Sequence, residues 1–81
     1  MFNKQQKLEF VLEILNNNLK NAKKKLEQYE IKKEEDITLS SSHFNRVLKK
    51  IDDYRDIVES YEYAILILDE QKRGLEKGWL N

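Results

Sequence analysis

The sequence predicts an all-α protein, a coiled-coil-like antiparallel hairpin of two long helices. The chain has no proline, and its two glycines, Gly74 and Gly78, lie near its end, so residues that interrupt helices are rare. Charged residues make up 37% of the sequence, and the Lys, Glu and Leu that dominate it favour helix. We therefore expect a single helical domain over residues 1–81.

Two heptad series define the helices. Apolar residues recur with alternating spacings of four and three from Leu8 to Tyr29, and again from Phe44 to Leu68. Such spacing places an apolar stripe along each helix, here called the seam, which faces a partner helix. The seam residues are Leu8, Leu12, Leu15, Leu19, Ala22, Leu26 and Tyr29 in the first helix, and Phe44, Val47, Ile51, Tyr54, Val58, Tyr61, Ile65 and Leu68 in the second.

The predicted boundaries follow from the seams and from the glycines. The first helix is expected over about residues 3–33, the turn over 34–40 and the second helix over about 41–73. Gly74 is predicted to take the left-handed conformation that ends a helix. An extension to residue 78 is left open, because the seam spacing continues past Gly74.

The turn is predicted to be short, which makes the helices antiparallel neighbours. Ser40 is the predicted N-cap of the second helix, since its hydroxyl can accept from free amides of the first turn. Leu39 and Phe44 are spaced to form a hydrophobic staple around it.

Folding the hairpin about this turn predicts which seam residues face each other. The expected pairs include Tyr29 with Phe44, Leu19 with Tyr54, and Leu8 with Ile65. In this pairing the first helix has almost no residues left beyond Leu8, so the end of the chain overhangs the hairpin unless Met1 and Phe2 reach it. The overhang is an apolar tip formed by Leu75, Trp79 and Leu80. It is a candidate anchor for a partner; the alternative is that it closes the open end of the dimer bundle against Phe2.

A second apolar group is predicted beside the seam, at the end of the hairpin away from the turn. At the turn end, the same flank is polar. Exposing this group on so small a domain is costly, and closed two-fold pairing is the commonest solution. We therefore expect a homodimer with a four-helix core. The predicted dimer interface is Phe10, Val11, Ile14, Ile57, Tyr63, Ala64 and Ile67.

Two alternatives to the dimer remain open at this point. The second helix could bend near Glu59–Ser60, so that a monomer forms three helices and covers its own apolar group. The apolar group could also bind a different protein.

The charges are balanced overall but divided along the chain. There are 15 basic and 15 acidic residues, whereas constitutive nucleic-acid binders usually carry a basic excess. Residues 1–33 nevertheless carry 8 basic and 4 acidic residues, and residues 34–81 carry 7 and 11. The candidate basic face consists of Lys20, Lys23, Lys24, Lys25, Lys32 and Lys33. It could contact phosphates, or it could complement the acidic Asp52–Asp56 segment.

No catalytic, cofactor or metal site is expected. His43 is the single histidine, and the serines beside it are typical of helix capping, with no carboxylate orienter near in sequence. The acidic groups around Glu34–Asp36 and Asp52–Asp56 lack the spacing of a calcium loop. The absence of cysteine excludes thiolate chemistry. We therefore expect a protein that is not an enzyme.

The leading hypothesis is a non-enzymatic helical protein-interaction module, a small dimeric regulator or inhibitor that binds a protein partner of unknown identity. One alternative is a nucleic-acid accessory protein that uses the basic face. Another is sequestration of a small ligand in the bundle, in a cavity lined by Tyr54, Tyr61 and Tyr63.

Composition also suggests a source and a location. An excess of lysine over arginine, 12 to 3, with frequent asparagine suggests the accessory protein of a low-GC bacterium or its phage. The longest apolar run, Tyr63–Leu68, is far too short to span a membrane. The first ten residues lack a secretory pattern. We expect a cytoplasmic protein without a membrane partner.

Overall fold

The computed structural model describes residues 1–35 and 41–78, which form two long helices. Helix α1 covers Lys4–Glu35 and helix α2 covers Ser41–Glu76. The helices pack against each other as an antiparallel pair, in a molecule of 57 × 20 × 15 Å. The predicted all-α class and the helical hairpin are confirmed. The predicted N-cap Ser40 and the staple residue Leu39 lie outside the described residues.

Helix α1 begins at a reciprocal cap that the sequence predictions did not include. The Asn3 side-chain oxygen accepts a hydrogen bond from the Gln6 amide at 2.8 Å, and the Gln6 side-chain oxygen accepts one from the Asn3 amide at 3.0 Å. Each side chain thus satisfies a backbone donor that the first turn leaves without a helical partner. The signal was present in the sequence as an Asn followed three residues later by a Gln.

Helix α2 does not end at Gly74, which corrects the predicted stop. Gly74 is buried inside the helix, which continues to Glu76. Gly78 instead takes the left-handed conformation, with φ of 75°, and its amide bonds to the Leu75 carbonyl at 3.2 Å. Glycine inside a helix costs about 1 kcal/mol, so the helix continues here despite an unfavourable local propensity.

The core is the seam. The hydrophobic side chains that are buried among the described residues all belong to the two heptad series: Leu12, Ala22, Val47, Ile51 and Val58. The predicted seams are therefore confirmed as the packing surface of the hairpin. No large side chain in the described part of the chain is completely buried, because two helices can enclose a seam only from two sides.

The pairing along the seam differs from the prediction by about one heptad. Glu9, the neighbour of Leu8, contacts Lys72 at 3.7 Å, whereas Leu8 was predicted to face Ile65. Tyr29 stacks on Tyr54 in place of the predicted pairing with Phe44. The displacement is roughly 10 Å along the helix axis at a rise of 1.5 Å per residue.

This displacement brings the start of α1 beside the end of α2. The Gln5 amide nitrogen lies 3.4 Å from a carboxylate oxygen of Glu76, and Leu75 is half-buried. The prediction that Leu75 overhangs the hairpin was therefore wrong. Trp79 and Leu80, the rest of the predicted tip, lie outside the described residues.

Helix α2 passes through residues 59 and 60 without interruption. The Ser60 hydroxyl donates to the Asp56 carbonyl at 2.7 Å, a bond to the preceding turn that helices tolerate. The three-helix monomer, which needs a bend at this point, is not the arrangement of the chain.

Candidate interaction surface

The hairpin has two broad faces, one on each side of the seam, and they differ in chemistry. Residues three and four apart on a helix lie on the same side, so each face combines one flank of α1 with one flank of α2. We call the first the charged face, because ion pairs between the helices cross it. We call the second the apolar face, because it carries the predicted interface residues Val11, Ile14, Ile57, Ala64 and Ile67.

Ion pairs join the helices on the charged face. Lys72 lies 3.7 Å from Glu9, and Arg55 lies 3.5 Å from Glu30. These side chains are substantially exposed, and such pairs contribute about 0.2–1 kcal/mol each. Their main effect is therefore to favour one pairing of the helices over its neighbours.

Acidic residues predominate on the charged face. Its acidic members are Glu9, Glu13, Glu27, Glu30, Glu34, Asp52, Glu59, Glu62, Asp69 and Glu76, and its basic members are Lys20, Lys23, Arg55, Lys72 and Arg73. The apolar face has the opposite balance. Around its hydrophobic centre lie basic Lys4, Lys7, Lys25, Lys32, Arg46 and Lys50, with acidic Glu35, Asp53 and Asp56. The chain is neutral overall, but its two faces carry net charges of opposite sign.

The hydrophobic side chains of the apolar face are exposed to solvent. Val11, Ile14, Ile57 and Ile67 are 41%, 43%, 40% and 37% exposed, and Ala64 is half-buried between the last two. Within residues 1–35 and 41–78, no part of the chain covers the group that the sequence predicted to lie beside the seam. Contiguous exposed apolar surface of this kind is typical of interaction sites.

The apolar face combines exposed hydrophobic side chains with a shallow depression. The exposed group, here called the ridge, consists of Val11 and Ile14 on α1 and Ile67 on α2; the observed pairing brings them to about the same level. The depression, here called the groove, lies toward the middle of the hairpin. One section of the groove is open to solvent, has a volume of about 510 Å³ and is lined by Leu15, Asp56, Ile57, Ser60, Tyr61 and Ala64.

The groove continues toward the turn in a second section of about 350 Å³. This section shares Ile57 and Tyr61 with the first, and its other lining residues are Asn18, Asn21, Ala22, Lys25 and Tyr54. The sequence predictions missed the contributions of Leu15 and Ser60 to this surface, because Leu15 is a seam residue and Ser60 is polar. Tyr61 was named only in the ligand hypothesis, as a residue that lines a cavity.

The two aromatic residues of the predicted interface lie at its edge. Tyr63 is 68% exposed and lies on the side of α2 that points away from α1. Phe10 occupies the corresponding position on α1, where its ring lies 5.8 Å from that of Phe2. Leu66, from the same apolar run as Tyr63, is 57% exposed but lies on the charged face.

The six lysines of the predicted basic face do not share one side of α1. Lys20, Lys23 and Lys24 line a depression together with Glu27, whereas Lys25 lines the groove on the opposite face. At 3.6 residues per turn, Lys32 and Lys33 also lie on different sides from Lys20. The six cations therefore surround the helix and do not form a single track.

Two of the three tyrosines of the ligand hypothesis lie together. Tyr54, which also stacks on Tyr29, and Tyr61 both line the groove, whereas Tyr63 lies outside it. Residues 1–35 and 41–78 contain no cluster of histidine and carboxylate side chains arranged to hold a metal ion. Neither helix, over its described length, is both long and apolar enough to cross a membrane.

Fold and surface together define a helical hairpin with one uncovered apolar face. Comparison of the chain with protein-family models, with curated proteins and with solved structures found no match.

Proposed function

We propose that the protein is a non-enzymatic helical interaction module. Two copies pack their apolar faces together as a four-helix bundle, and this dimer regulates or inhibits another protein by binding it. The observation that carries the proposal is the exposure of Val11, Ile14, Ile57 and Ile67, between 37% and 43%, on one face of the hairpin.

The surface area of the chain supports the proposal that another molecule covers the apolar face permanently. A single chain of 9.8 kDa exposes 6440 Å², whereas a compact monomer of this mass exposes about 5,200 Å². The excess, on the order of 1,000 Å², is comparable to the roughly 800 Å² that each partner buries in a standard interface. A second copy is present whenever the protein is present, so it can supply this cover constantly.

The charged faces point outward in such a dimer. Their excess of acidic side chains favours a protein partner with a basic surface, because complementary charges accelerate and orient association. Trp79 and Leu80 are further candidates for contact with that partner. Native affinity purification that returns no protein partner would count against this part of the proposal.

The dimer is tested by sedimentation equilibrium on the wild type and on the double variant Ile57→Asp/Ile67→Asp. We expect the wild type to sediment at twice the chain mass of 9.8 kDa. The variant buries charge in the interface and should dissociate. Leu66→Asp is the control, since it replaces an exposed hydrophobic side chain by a single Asp on the charged face, and it should keep the wild-type mass.

A loss of folding must be distinguished from a loss of association. Circular dichroism of the three proteins at equal concentration, together with dilution of the wild type, provides this distinction. Helix content that falls with dilution links folding to dimerisation. A wild type that remains monomeric and fully helical at every concentration would refute the dimer.

A further inference from the structure

We propose that the two hairpins of the dimer pack antiparallel, so that the ridge of each copy fills the groove of the other. The inference rests on the proposed dimer and adds its geometry. The two-fold axis lies in the interface between the two apolar faces, perpendicular to the helices and near Ala64. It places the turns of the two copies at opposite ends of the assembly.

The relative position of the ridge and the groove leads to this arrangement. The ridge, Val11, Ile14 and Ile67, lies toward the chain ends, and the groove around Ile57 and Tyr61 lies nearer the turn. Their centres are separated by roughly 10 Å along the axis. A two-fold axis between them exchanges the two features, so both grooves are filled at once. A parallel dimer would set ridge against ridge and leave both grooves open, which forfeits packing.

Small side chains lie where this axis passes. Ala64 and Ser60 line the groove between the ridge and Ile57. Small residues at the centre with large residues to either side let two helices approach closely and interdigitate. The arrangement makes the face complementary to itself, as a closed two-fold contact requires.

Charge also distinguishes the two arrangements. Lys32 and Lys50 lie at about the same level of the apolar face, near the turn. A parallel dimer would bring Lys32 of each copy against Lys50 of the other, so four cations would meet in one layer. Like charges so placed repel. In the antiparallel dimer, Lys32 and Lys50 of one copy lie at the opposite end of the bundle from the same two residues of the other copy. It also moves Asp53 toward Lys7 of the other copy.

The test measures the distance between two spin labels, one on each copy. Because the chain has no cysteine, one introduced cysteine places one label on each chain. Lys49→Cys carries a spin label on an exposed position near the turn. In the antiparallel dimer the two labels lie about 45 Å apart, and in a parallel dimer about 25 Å apart, from helix rise and interaxial spacing. Pulsed dipolar spectroscopy resolves these two distances.

Disulfide trapping gives an independent measurement. In the antiparallel dimer Ala64→Cys faces its own copy across the two-fold axis, within the separation that a disulfide spans, and should oxidise to a covalent dimer. Glu59→Cys, one turn away on the charged face, is the control and should remain a single chain under the same oxidant.

The outcomes separate this inference from the proposed function. A distance near 45 Å together with an Ala64→Cys disulfide supports the antiparallel dimer. A dimeric mass with a distance near 25 Å overturns the antiparallel geometry and keeps the dimer. A monomeric mass with no dipolar coupling overturns both.

Discussion

Tyr29 of α1 stacks on Tyr54 of α2, with ring centroids 5.6 Å apart and an angle of 26° between the ring planes. Both rings are half-buried at the edge of the seam. The stacked rings join the two helices. Together with the contact of Glu9 with Lys72, the stack contradicts the pairing predicted from the sequence, in which Tyr29 faces Phe44 and Tyr54 faces Leu19.

The stack predicts measurable coupling between the two tyrosines. Stacked aromatic pairs contribute about 0.5–1.5 kcal/mol beyond the area they bury. In a double-mutant cycle of Tyr29→Ala and Tyr54→Ala, urea unfolding at fixed protein concentration should give a coupling free energy in this range. Tyr63→Ala, an exposed control, should change the free energy of unfolding by less than about 0.5 kcal/mol. Strict additivity of the two substitutions would contradict the observed pairing.

Ile51 is predicted to be a major determinant of stability. Its side chain is only 3% exposed, and truncation of a buried Ile to Ala costs about 2–5 kcal/mol. Because small domains are stabilised by about 5–15 kcal/mol in total, Ile51→Ala should lower the thermal midpoint sharply, as measured by circular dichroism. Ile31→Ala removes the same atoms from an exposed position and should change the midpoint little. Equal effects of the two substitutions would mean that the seam is not the core.

The cap at the start of α1 is predicted to stabilise the hairpin. Asn3→Ala removes the side-chain acceptor for the Gln6 amide, and losses of this kind cost about 0.5–2 kcal/mol. Chemical denaturation followed by circular dichroism measures this loss. Asn17→Ala, in the exposed middle of the helix, should be neutral or slightly stabilising, since Ala is the better helix former. A neutral Asn3→Ala would show that the first turn frays in solution.

Substitution of Gly78, at the end of α2, is predicted to lower the stability of the hairpin through backbone strain alone. A Cβ added to this residue would meet no atom within 4 Å, but its φ of 75° is strained for side chains other than that of glycine. Gly78→Ala should therefore destabilise the hairpin by about 1 kcal/mol, as measured by thermal denaturation. Gly78→Asn should cost less, because Asn tolerates this conformation better. A larger cost for Asn than for Ala would contradict a backbone origin.

The helices and the seam were predictable because each depends on local spacing. The alternating intervals in the sequence determine which side of each helix is apolar, and the buried residues Leu12, Ala22, Val47, Ile51 and Val58 all lie on that side. The end of α2 was misplaced because glycine propensity was given more weight than packing. Gly74 is buried, and the helix continues through it to Glu76.

The pairing of the helices was not predictable from the same pattern. A seam that repeats every seven residues still matches apolar with apolar after a slip of one heptad. The correct pairing is determined by individual contacts, such as Tyr29 with Tyr54 and Glu9 with Lys72. The ridge and the groove depend on this pairing. The sequence therefore predicted most of the apolar surface residues but not the shape that they form together.

The contact of Gln5 with Glu76 has a practical consequence for engineering. The first turn of α1 and the last turn of α2 lie side by side at the same tip of the rod, with these two side chains 3.4 Å apart. A short flexible linker could therefore join the two turns into a closed ring without bending either helix. Closing a loop of this length would restrict the unfolded chain and favour the folded one by entropy alone.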